Sequence, residues 1–371
     1  MIRIVVDATS LLLRSAGVKN YTWHWLRAMR RLAGPDRIGA FPFIHNSGTL
    51  HHDGSVYSAW ATWPRLAALY GVNLLGAGVL DACIGAADVF HASNQVHFPP
   101  RRCLLTATVH DVTCWKMPEL HTAGNVRADR RFAERILRRA HGLIAVSEAT
   151  RQDAIEEIGI DEDRIETIHS GVSDAFFEVE AKSVFELKQR FLLDKPYVLF
   201  VGAIEPRKNI DRMLDAWLAL KPSLRRDHDL VIAGPGGWAS ATLARLHGHL
   251  EGVRFLGYVA EQDLPPLTAG ALVFLYASLY EGFGFPLAQA MAAGVPAITS
   301  NISALPEIAG GAAHLVDPLS LSEITSALTR LLESASLREQ LSLRGSERAR
   351  HYRWSGCARR SLAFFERLAN R

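Results

Sequence analysis

The chain has 371 residues, 49% of them hydrophobic and 21% charged, with a formal net charge of +3. This is the composition of a soluble globular protein long enough for two domains, and so small a charge excess is atypical of nucleic-acid binders. The four cysteines form no C-x-x-C pair and no dense disulfide framework, which suits a reducing cytosol. The first apolar run is too short for a signal peptide, and no window reaches the roughly 18 to 20 apolar residues of a membrane span. We therefore expect a cytoplasmic protein.

Short β-branched runs alternate with helical patterns along the chain, in two series. The first series contains IRIVVDA (2–8), a helix at 21–32, DVFHAS (88–93), LLTATVHD (104–111), a helix at 127–140 and GLIAVS (142–147). The second contains YVLFVGAI (197–204), a helix at 210–220, DLVIAG (229–234), VRFLGYV (253–259), ALVFLYAS (271–278), PAITS (296–300) and AAHLVD (312–317). Alternation of this kind predicts doubly wound parallel sheets. The fold class is α/β, with two Rossmann-like domains.

The expected division is an N-terminal domain at 1–172, a C-terminal domain at 173–354 and a final helix at 355–371 that packs back on the first domain. The predicted hinge is the segment HSGVSDAFFEVE (169–180). In open parallel sheets ligands bind outside the carboxyl ends of the strands. With two such sheets facing each other, we expect the site in the cleft between them.

Two cations follow the first strand of the second series, in the motif VGAIEPRKN. Arg207 and Lys208 stand where a strand ends and a helix begins. The helix dipole disfavours cations at a helix N-terminus, so the presence of two cations there favours a bound anion. A diphosphate fits both side chains. The alternative is a solvated helix start.

The motif EGFGFP connects a later strand of the second series to a helix. Gly282 and Gly284 allow a tight backbone, and Pro286 suits the first helical turn. Backbone N–H groups at such a helix start favour an anion, whereas Glu281 favours the hydroxyls of a sugar or ribose. A purely structural turn is the alternative.

Three residues of the first series are weaker candidates. Gly17 and Lys19 follow the first strand in a loop that leads into a helix, and His110 ends the strand LLTATVHD. A glycine in such a loop is common by itself, and a lone histidine is often structural. Opposite Arg207 and Lys208, the loop would form the other side of a diphosphate site.

Together these motifs resemble the family 4 retaining glycosyltransferases with the GT-B fold, and especially the branch of mannosyltransferases in polysaccharide and O-antigen assembly. The resemblance covers nearly the whole chain. It implies that Arg207 and Lys208 neutralise the diphosphate of a nucleotide-sugar donor, that Glu281 contacts the donor sugar, and that His110 contacts the transferred sugar. The donor-binding residues it implies are Gly17, Lys19, Gly202, Gly282, Phe283, Gly284, Phe285 and Gln289.

Gln289 departs from the family pattern, which usually has a glutamate bonded to the ribose. Glutamine keeps an acceptor oxygen but loses the charge assistance, on the order of 1 kcal/mol, so donor binding weakens about tenfold. We interpret the motif as a working loop with an altered ribose contact. The alternative is a non-catalytic nucleotide-sugar-binding protein with an impaired site.

The resemblance implies GDP-mannose as donor, a glycan or lipid-linked acceptor, retention of the anomeric configuration, and no metal or other cofactor. The one D-x-D match, Asp161 to Asp163, is interpreted as a solvated turn. A nicotinamide dehydrogenase would need G-x-G-x-x-G after the first strand, which the chain lacks there. A sugar-nucleotide epimerase shares the two-domain fold, but EPRKN and EGFGFP match the transferases.

Helices rich in aromatic residues and arginine, at 21–31 and 127–142, raise the question of membrane contact. Basic residues near an anionic bilayer contribute about 1 kcal/mol each. The alternative is that Trp25, Leu26, Met29 and Leu32 pack inward while the arginines are solvated. Peripheral contact at the inner face of the membrane remains a hypothesis.

Overall fold

The protein is described by a computed structural model that covers residues 2–15, 17–45, 48–50, 54–237, 239–248 and 250–370. The chain divides into two compact units. The first unit comprises Met1–Gly171 and Trp354–Arg371, and the second comprises Val172–Arg353.

The first unit contains a six-stranded parallel sheet in the order β2-β1-β3-β4-β5-β6. The strands are β1 Ile4–Asp7, β2 Ile38–Phe41, β3 Val89–Ala92, β4 Leu104–Val109, β5 Gly142–Ala145 and β6 Ile165–Thr167. The α-helices before the second unit are α1 Gly17–Ala33, α2 Ala59–Leu75, α3 Ala77–Ile84, α4 Thr113–Lys116, α5 Ala123–Arg135 and α6 Glu148–Asp153. The chain order reverses between β1 and β3, so this is the switch point at which such sheets bind ligands.

The second unit contains a six-stranded parallel sheet in the order β12-β11-β10-β7-β8-β9. The strands are β7 Tyr197–Val201, β8 Asp229–Ala233, β9 Val253–Gly257, β10 Val273–Tyr276, β11 Ala297–Ser300 and β12 His314–Val316. The α-helices are α7 Ala181–Arg190, α8 Ile210–Leu218, α9 Pro222–Asp227, α10 Ser240–His247, α11 Leu264–Ala269, α12 Phe285–Ala292, α13 Leu305–Ala309, α14 Leu321–Glu333 and α15 Ala335–Ala349. This is the Rossmann strand order, and its switch point lies between β7 and β10.

The core of each sheet explains why the predicted strands read as continuous apolar runs. Every residue of β1 and β10 is buried, because helices cover both faces of a parallel sheet. The predicted α/β class with two doubly wound sheets is therefore confirmed. The helix predicted at 127–140 was too long, since the regular α-helix ends at Arg135.

The last helix, α16 Trp354–Ala369, packs against α1 in the first unit. Its buried residues recur at helical spacing, and Trp25 of α1 donates its indole N–H to the Ser361 hydroxyl at 2.9 Å. On α1, Trp25, Leu26 and Met29 are buried, but Leu32 is 47% exposed. The expectation that Leu32 packs inward is therefore wrong, because the buried stripe ends one turn earlier.

Candidate functional site

The switch point of the second unit brings three predicted site residues together. Arg207 and Lys208 follow β7, and Glu281 follows β10. These strands are neighbours in the sheet although they lie far apart in sequence, with Val198 paired to Val273. The carboxyl ends of both strands therefore meet at one edge, and the predicted cations and carboxylate meet with them.

Four side chains at this edge form what we call the ionic cluster: Arg207, Lys208, Tyr276 and Glu281. The Lys208 ammonium donates to Glu281 Oε1 at 2.6 Å and to the Tyr276 hydroxyl at 2.7 Å. Tyr276 donates to the same carboxylate oxygen at 2.8 Å, and Arg207 Nη1 lies 3.0 Å from Glu281 Oε2. Both oxygens of one carboxylate are thus engaged by two cations and a phenol.

Lys208, Tyr276 and Glu281 of the ionic cluster are buried and Arg207 is half-buried, and this environment sets the protonation of the cluster. Burial raises the pKa of Glu281, but the charges of Lys208 and Arg207 outweigh it and hold that pKa at about 2. Burial and then the charge of Arg207 lower the pKa of Lys208, against the opposing effect of Glu281. The ammonium has three N–H donors, of which these contacts use two. Among the described residues, one N–H of the Lys208 ammonium therefore has no hydrogen-bond acceptor.

The turn after Glu281 leads directly into α12. Gly284 has φ +85°, and a Cβ there would lie 2.6 Å from Leu305 Cδ2, so only glycine fits. Pro286 stands in the first turn of α12, as predicted. The interpretation of EGFGFP as a glycine turn before a helix start is consistent with this geometry.

Gln289 lies on α12 and is 9% exposed. Within the described ranges its side-chain amide makes no hydrogen bond to another protein group, so it keeps its donors and acceptor for a ligand. Its predicted contact with a ribose stays a prediction.

The loop after β7 is packed tightly against the loop after β8. Gly202 donates its amide to the Ala233 carbonyl at 2.9 Å, and a Cβ on Gly234 would lie 1.9 Å from the Gly202 carbonyl oxygen. This close approach fixes the backbone that carries Arg207 and Lys208.

His110 lines a cavity of about 180 Å³ in the first unit, at the carboxyl ends of β1, β3 and β4. The Tyr21 ring meets the imidazole edge-on, with centroids 4.8 Å apart. Burial lowers the pKa of His110 to about 4, although the charge of Asp111 acts in the opposite direction. His110 is therefore a neutral imidazole at pH 7 in a partly apolar cavity.

Sequence reasoning missed the polar residues that share this cavity. Asp7 ends β1 and accepts hydrogen bonds from the hydroxyls of Thr9 and Ser93, at 2.6 and 2.5 Å. Burial raises the pKa of Asp7, and these hydrogen bonds oppose it. His91 lies between the hydroxyls of Thr106 and Thr108. An acid at the end of the first strand, in IRIVVDA, was the signal that could have found Asp7.

Gly17 and Lys19, also in the first unit, have different surroundings. A Cβ on Gly17 would meet nothing within 4 Å, so packing does not require a glycine at the start of α1. Lys19 is fully buried and donates to the Gly54 carbonyl at 2.5 Å. Its side chain thus points into the first unit in this structure, and its role in donor binding stays a prediction.

Asp161 and Asp163, the D-x-D match, lie around a single turn before β6. The Asp161 carboxylate forms an ion pair with Arg164 at 3.3 Å, with the Asp161 side chain 75% exposed. The turn is solvated, as the sequence indicated.

Solved structures of the same topology show which fold this is. The structure of Anabaena HepE in complex with UDP and glucose matches with a TM-score of 0.73 and 17% identity, over 99% of this chain and 100% of that one. Sucrose-phosphate synthase from Thermosynechococcus elongatus matches with a TM-score of 0.75 and 18% identity, over 99% of each chain. The two Rossmann-like sheets are those of the GT-B fold of glycosyltransferases.

Sequence relationships narrow the class to a family. Residues 15–176 match the family model described as Glycosyltransferase Family 4, and residues 184–348 match Glycosyl transferases group 1. The chain is 32% identical over 284 residues to O-antigen chain mannosyltransferase B of Escherichia coli, covering 76% of this chain and 74% of that protein. It therefore belongs to glycosyltransferase family 4, as its motifs indicated, and it is a glycosyltransferase. None of the described helices is long and apolar enough to cross a membrane.

Proposed function

We propose that this protein transfers mannose from GDP-mannose to a glycan or lipid-linked acceptor, with retention of the anomeric configuration and without a metal ion. The observation that carries the proposal is the buried ionic cluster at the switch point of the second unit. Two cations at that position fit a nucleoside diphosphate, and the adjoining turn and helix start fit its sugar and phosphate groups.

Mannose as the transferred sugar is supported by the relatives. Besides the Escherichia coli enzyme, the MMP alpha-(1->4)-mannosyltransferase of Mycolicibacterium hassiacum is 29% identical over 379 aligned positions, covering 100% of this chain and 81% of that protein. The O-antigen relative supports a growing polysaccharide as acceptor.

The chemistry requires stabilisation of a leaving diphosphate. In the proposed step the bond from C1 of mannose to the phosphate oxygen breaks, and a bond from C1 to the acceptor oxygen forms on the same face. The acceptor proton passes to the departing diphosphate, so GDP leaves and no protein nucleophile is needed. Arg207 and Lys208 stabilise the charge on the diphosphate, with the start of α12 adding its dipole.

Glu281 and His110 have separate roles in this proposal. Glu281 is ionised, since its pKa is about 2, and accepts hydrogen bonds from sugar hydroxyls while it orients Lys208. His110 is neutral and contacts the transferred sugar from the first unit. Gln289 binds the ribose through a neutral hydrogen bond.

A thermal-shift screen tests the donor. GDP, UDP, ADP and dTDP and their common sugars are added to the native protein and to Lys208→Ala, because a ligand that binds only the folded state raises the melting temperature. We expect a shift from GDP and GDP-mannose that is absent in the variant. A shift in melting temperature caused only by another nucleotide would overturn GDP-mannose as donor. If no nucleotide changes the melting temperature, an impaired site is favoured.

Transfer itself is tested with GDP-mannose and a mannose-terminated oligosaccharide, with and without a chelator. We expect a product whose anomeric NMR coupling shows the α configuration, at an unchanged rate when the chelator is present. Inversion would contradict the retaining mechanism, and loss of activity with the chelator would contradict metal independence. Donor binding without transfer or hydrolysis would point to the non-catalytic alternative.

A further inference from the structure

Four described residues other than glycine have a left-handed backbone, with φ between 55° and 58°. They are Phe43, Leu192, Asn209 and Ser303. Few residues with a Cβ adopt this conformation, because the Cβ crowds the backbone, and such residues cluster at functional sites. Two of the four, Asn209 and Ser303, adjoin the ionic cluster of the second unit.

Asn209 directly follows Lys208 and precedes the first residue of α8. Its side-chain amide donates to the Ala277 carbonyl at 3.0 Å and to the Pro318 carbonyl at 2.8 Å. Both N–H groups of one amide therefore join the loop after β7 to the loops after β10 and β12. Glycine would allow the same φ without these hydrogen bonds, so the backbone conformation alone does not explain an asparagine here.

Ser303 lies between β11 and α13, and β11 flanks β10 on the side opposite to β7. The Ser303 hydroxyl accepts the backbone N–H of Glu281 at 3.1 Å. The next residue, Ala304, donates its N–H to the Glu281 carbonyl at 3.4 Å. The backbone of Glu281 is thus bonded through both its N–H and its carbonyl, independently of the ion pairs that its side chain makes.

The segment 277–281, which leaves β10, is therefore held from the β7 side and from the β11 side. Leu279 adds a hydrogen bond on the β7 side, from its N–H to the Arg207 carbonyl at 2.8 Å. Lys208 and Glu281 lie on two loops joined in this way, and their contact at 2.6 Å requires the loops to keep their separation. A displacement of about 1 Å in a site that stabilises a reacting group can cost on the order of 10² in rate.

We propose that Asn209 and Ser303 are positioning residues for transfer from the nucleoside diphosphate donor. They hold Lys208 and Glu281 at a fixed separation, and they act through these two side chains rather than on the donor itself. The left-handed backbone at both positions is the energetic cost of this arrangement. The inference rests on the proposed function and deepens it, because it names what fixes the proposed diphosphate site.

Glycine substitutions in the full chain separate backbone conformation from side-chain contact. Asn209→Gly and Ser303→Gly relieve the crowding of the left-handed backbone but remove the side-chain hydrogen bonds. The matched control is Leu192→Gly, which relieves the same φ just after α7, at a residue that is 67% exposed. Asn209→Asp is a second variant, because aspartate tolerates this backbone but its ionised carboxylate cannot donate to two carbonyls.

The first measurement is the Kd for GDP, determined by calorimetry well below the melting temperature. We expect it to rise about tenfold in Asn209→Gly and in Asn209→Asp, and about threefold to tenfold in Ser303→Gly. Leu192→Gly should stay within about twofold of the native protein. Because nearly all of the protein is folded under these conditions, a loss of stability alone leaves the Kd unchanged.

The second measurement needs no nucleotide. Glu281 is faced by Lys208, Arg207 and Tyr276, and its pairing with the two cations is lost as the pH falls from about 4.5 to 2. Loosening of this pairing by either glycine variant raises the pKa of Glu281 in the folded state toward 4.5. Urea denaturation across this pH range should therefore show a shallower fall in stability in both variants, with the native slope in Leu192→Gly.

An unchanged Kd and an unchanged slope in the Asn209 and Ser303 variants would overturn the proposal, even where their melting temperatures fall. An equal rise of the Kd in Leu192→Gly would overturn it as well, because relief of φ alone would then explain the effect. If the native protein binds no nucleoside diphosphate, the proposed function fails. The slopes of the variants still decide whether Asn209 and Ser303 position the ionic cluster, so the two failures are distinguishable.

Discussion

The side chains at the switch points of the two sheets differ in charge. Those of the second unit are paired ions, and those of the first unit include neutral histidines. In the second unit, Glu281 is held ionised between Lys208 and Arg207, with a pKa of about 2. In the first unit, His110 and His91 are kept neutral by burial, with pKa values of about 4 and 3. Paired charges can bind and stabilise a diphosphate, whereas neutral polar groups suit the hydroxyls of a sugar. The comparison shows that one topology can hold two different electrostatic environments.

The largest effect should come from breaking the pairing in the second unit. Glu281→Gln leaves Lys208 and Arg207 without their shared buried counter-charge, so we expect a loss of roughly 3 to 5 kcal/mol in unfolding free energy. Tyr276→Phe is the matched control, because it removes one hydrogen bond and should cost only about 1 to 2 kcal/mol. Urea denaturation measures both, and equal costs would contradict the central role of the ion pairs.

The pairing of Glu281 with Lys208 and Arg207 also predicts that the folded protein loses stability in acid. The pKa of Glu281 is lower in the folded state than its ordinary value of 4.5, so its contribution is complete above pH 4.5. That contribution is lost as the pH falls through the window between about 4.5 and 2. Glu281→Gln should flatten the pH dependence of stability in this window, and a slope like that of the native protein would contradict the assignment.

A third prediction separates the contribution of the Lys208 charge from that of the neutral side chain of Gln289 on α12. Lys208→Ala removes a full charge from the proposed diphosphate site, and we expect kcat/KM to fall by roughly 10² to 10³. Gln289→Ala should cost only about tenfold, since it removes a neutral hydrogen bond. Gln289→Glu should instead tighten donor binding by about tenfold. Steady-state kinetics that rank Gln289 above Lys208 would refute this division.

The smallest effect concerns the neutral site of the first unit. His110 should titrate at about 4, well below its ordinary value of 6.5, because burial disfavours the imidazolium. An NMR titration of the imidazole, assigned by comparison with His110→Gln, measures this directly while circular dichroism monitors folding. Asp111→Asn should lower the pKa of His110 further by removing a favourable negative charge. Titration near 6.5 would show that the site is solvated and would remove the contrast between the two sheets.

Local patterns in the sequence determined the strands, the two series and the motifs of the proposed donor site. Strand positions followed from apolar runs such as YVLFV, because a parallel sheet buries both of its faces. The glycine turn before α12 followed from EGFGFP, because Gly284 needs a positive φ and proline suits the first helical turn. These patterns involve residues that lie close together along the chain, so they can be recognised in a single sequence.

Only the tertiary structure decided which of these residues meet and how their charges are balanced. That Lys208 and Glu281 share a hydrogen bond depends on the crossover that places β7 beside β10, across 73 residues. The burial of Lys19, the hydrogen bond between Asp7 and Ser93, and the exposure of Trp60 and Trp63 on α2 likewise depend on long-range packing. The reason is physical: a residue's pKa and accessibility are set by neighbours in space, and a sequence pattern specifies only neighbours along the chain.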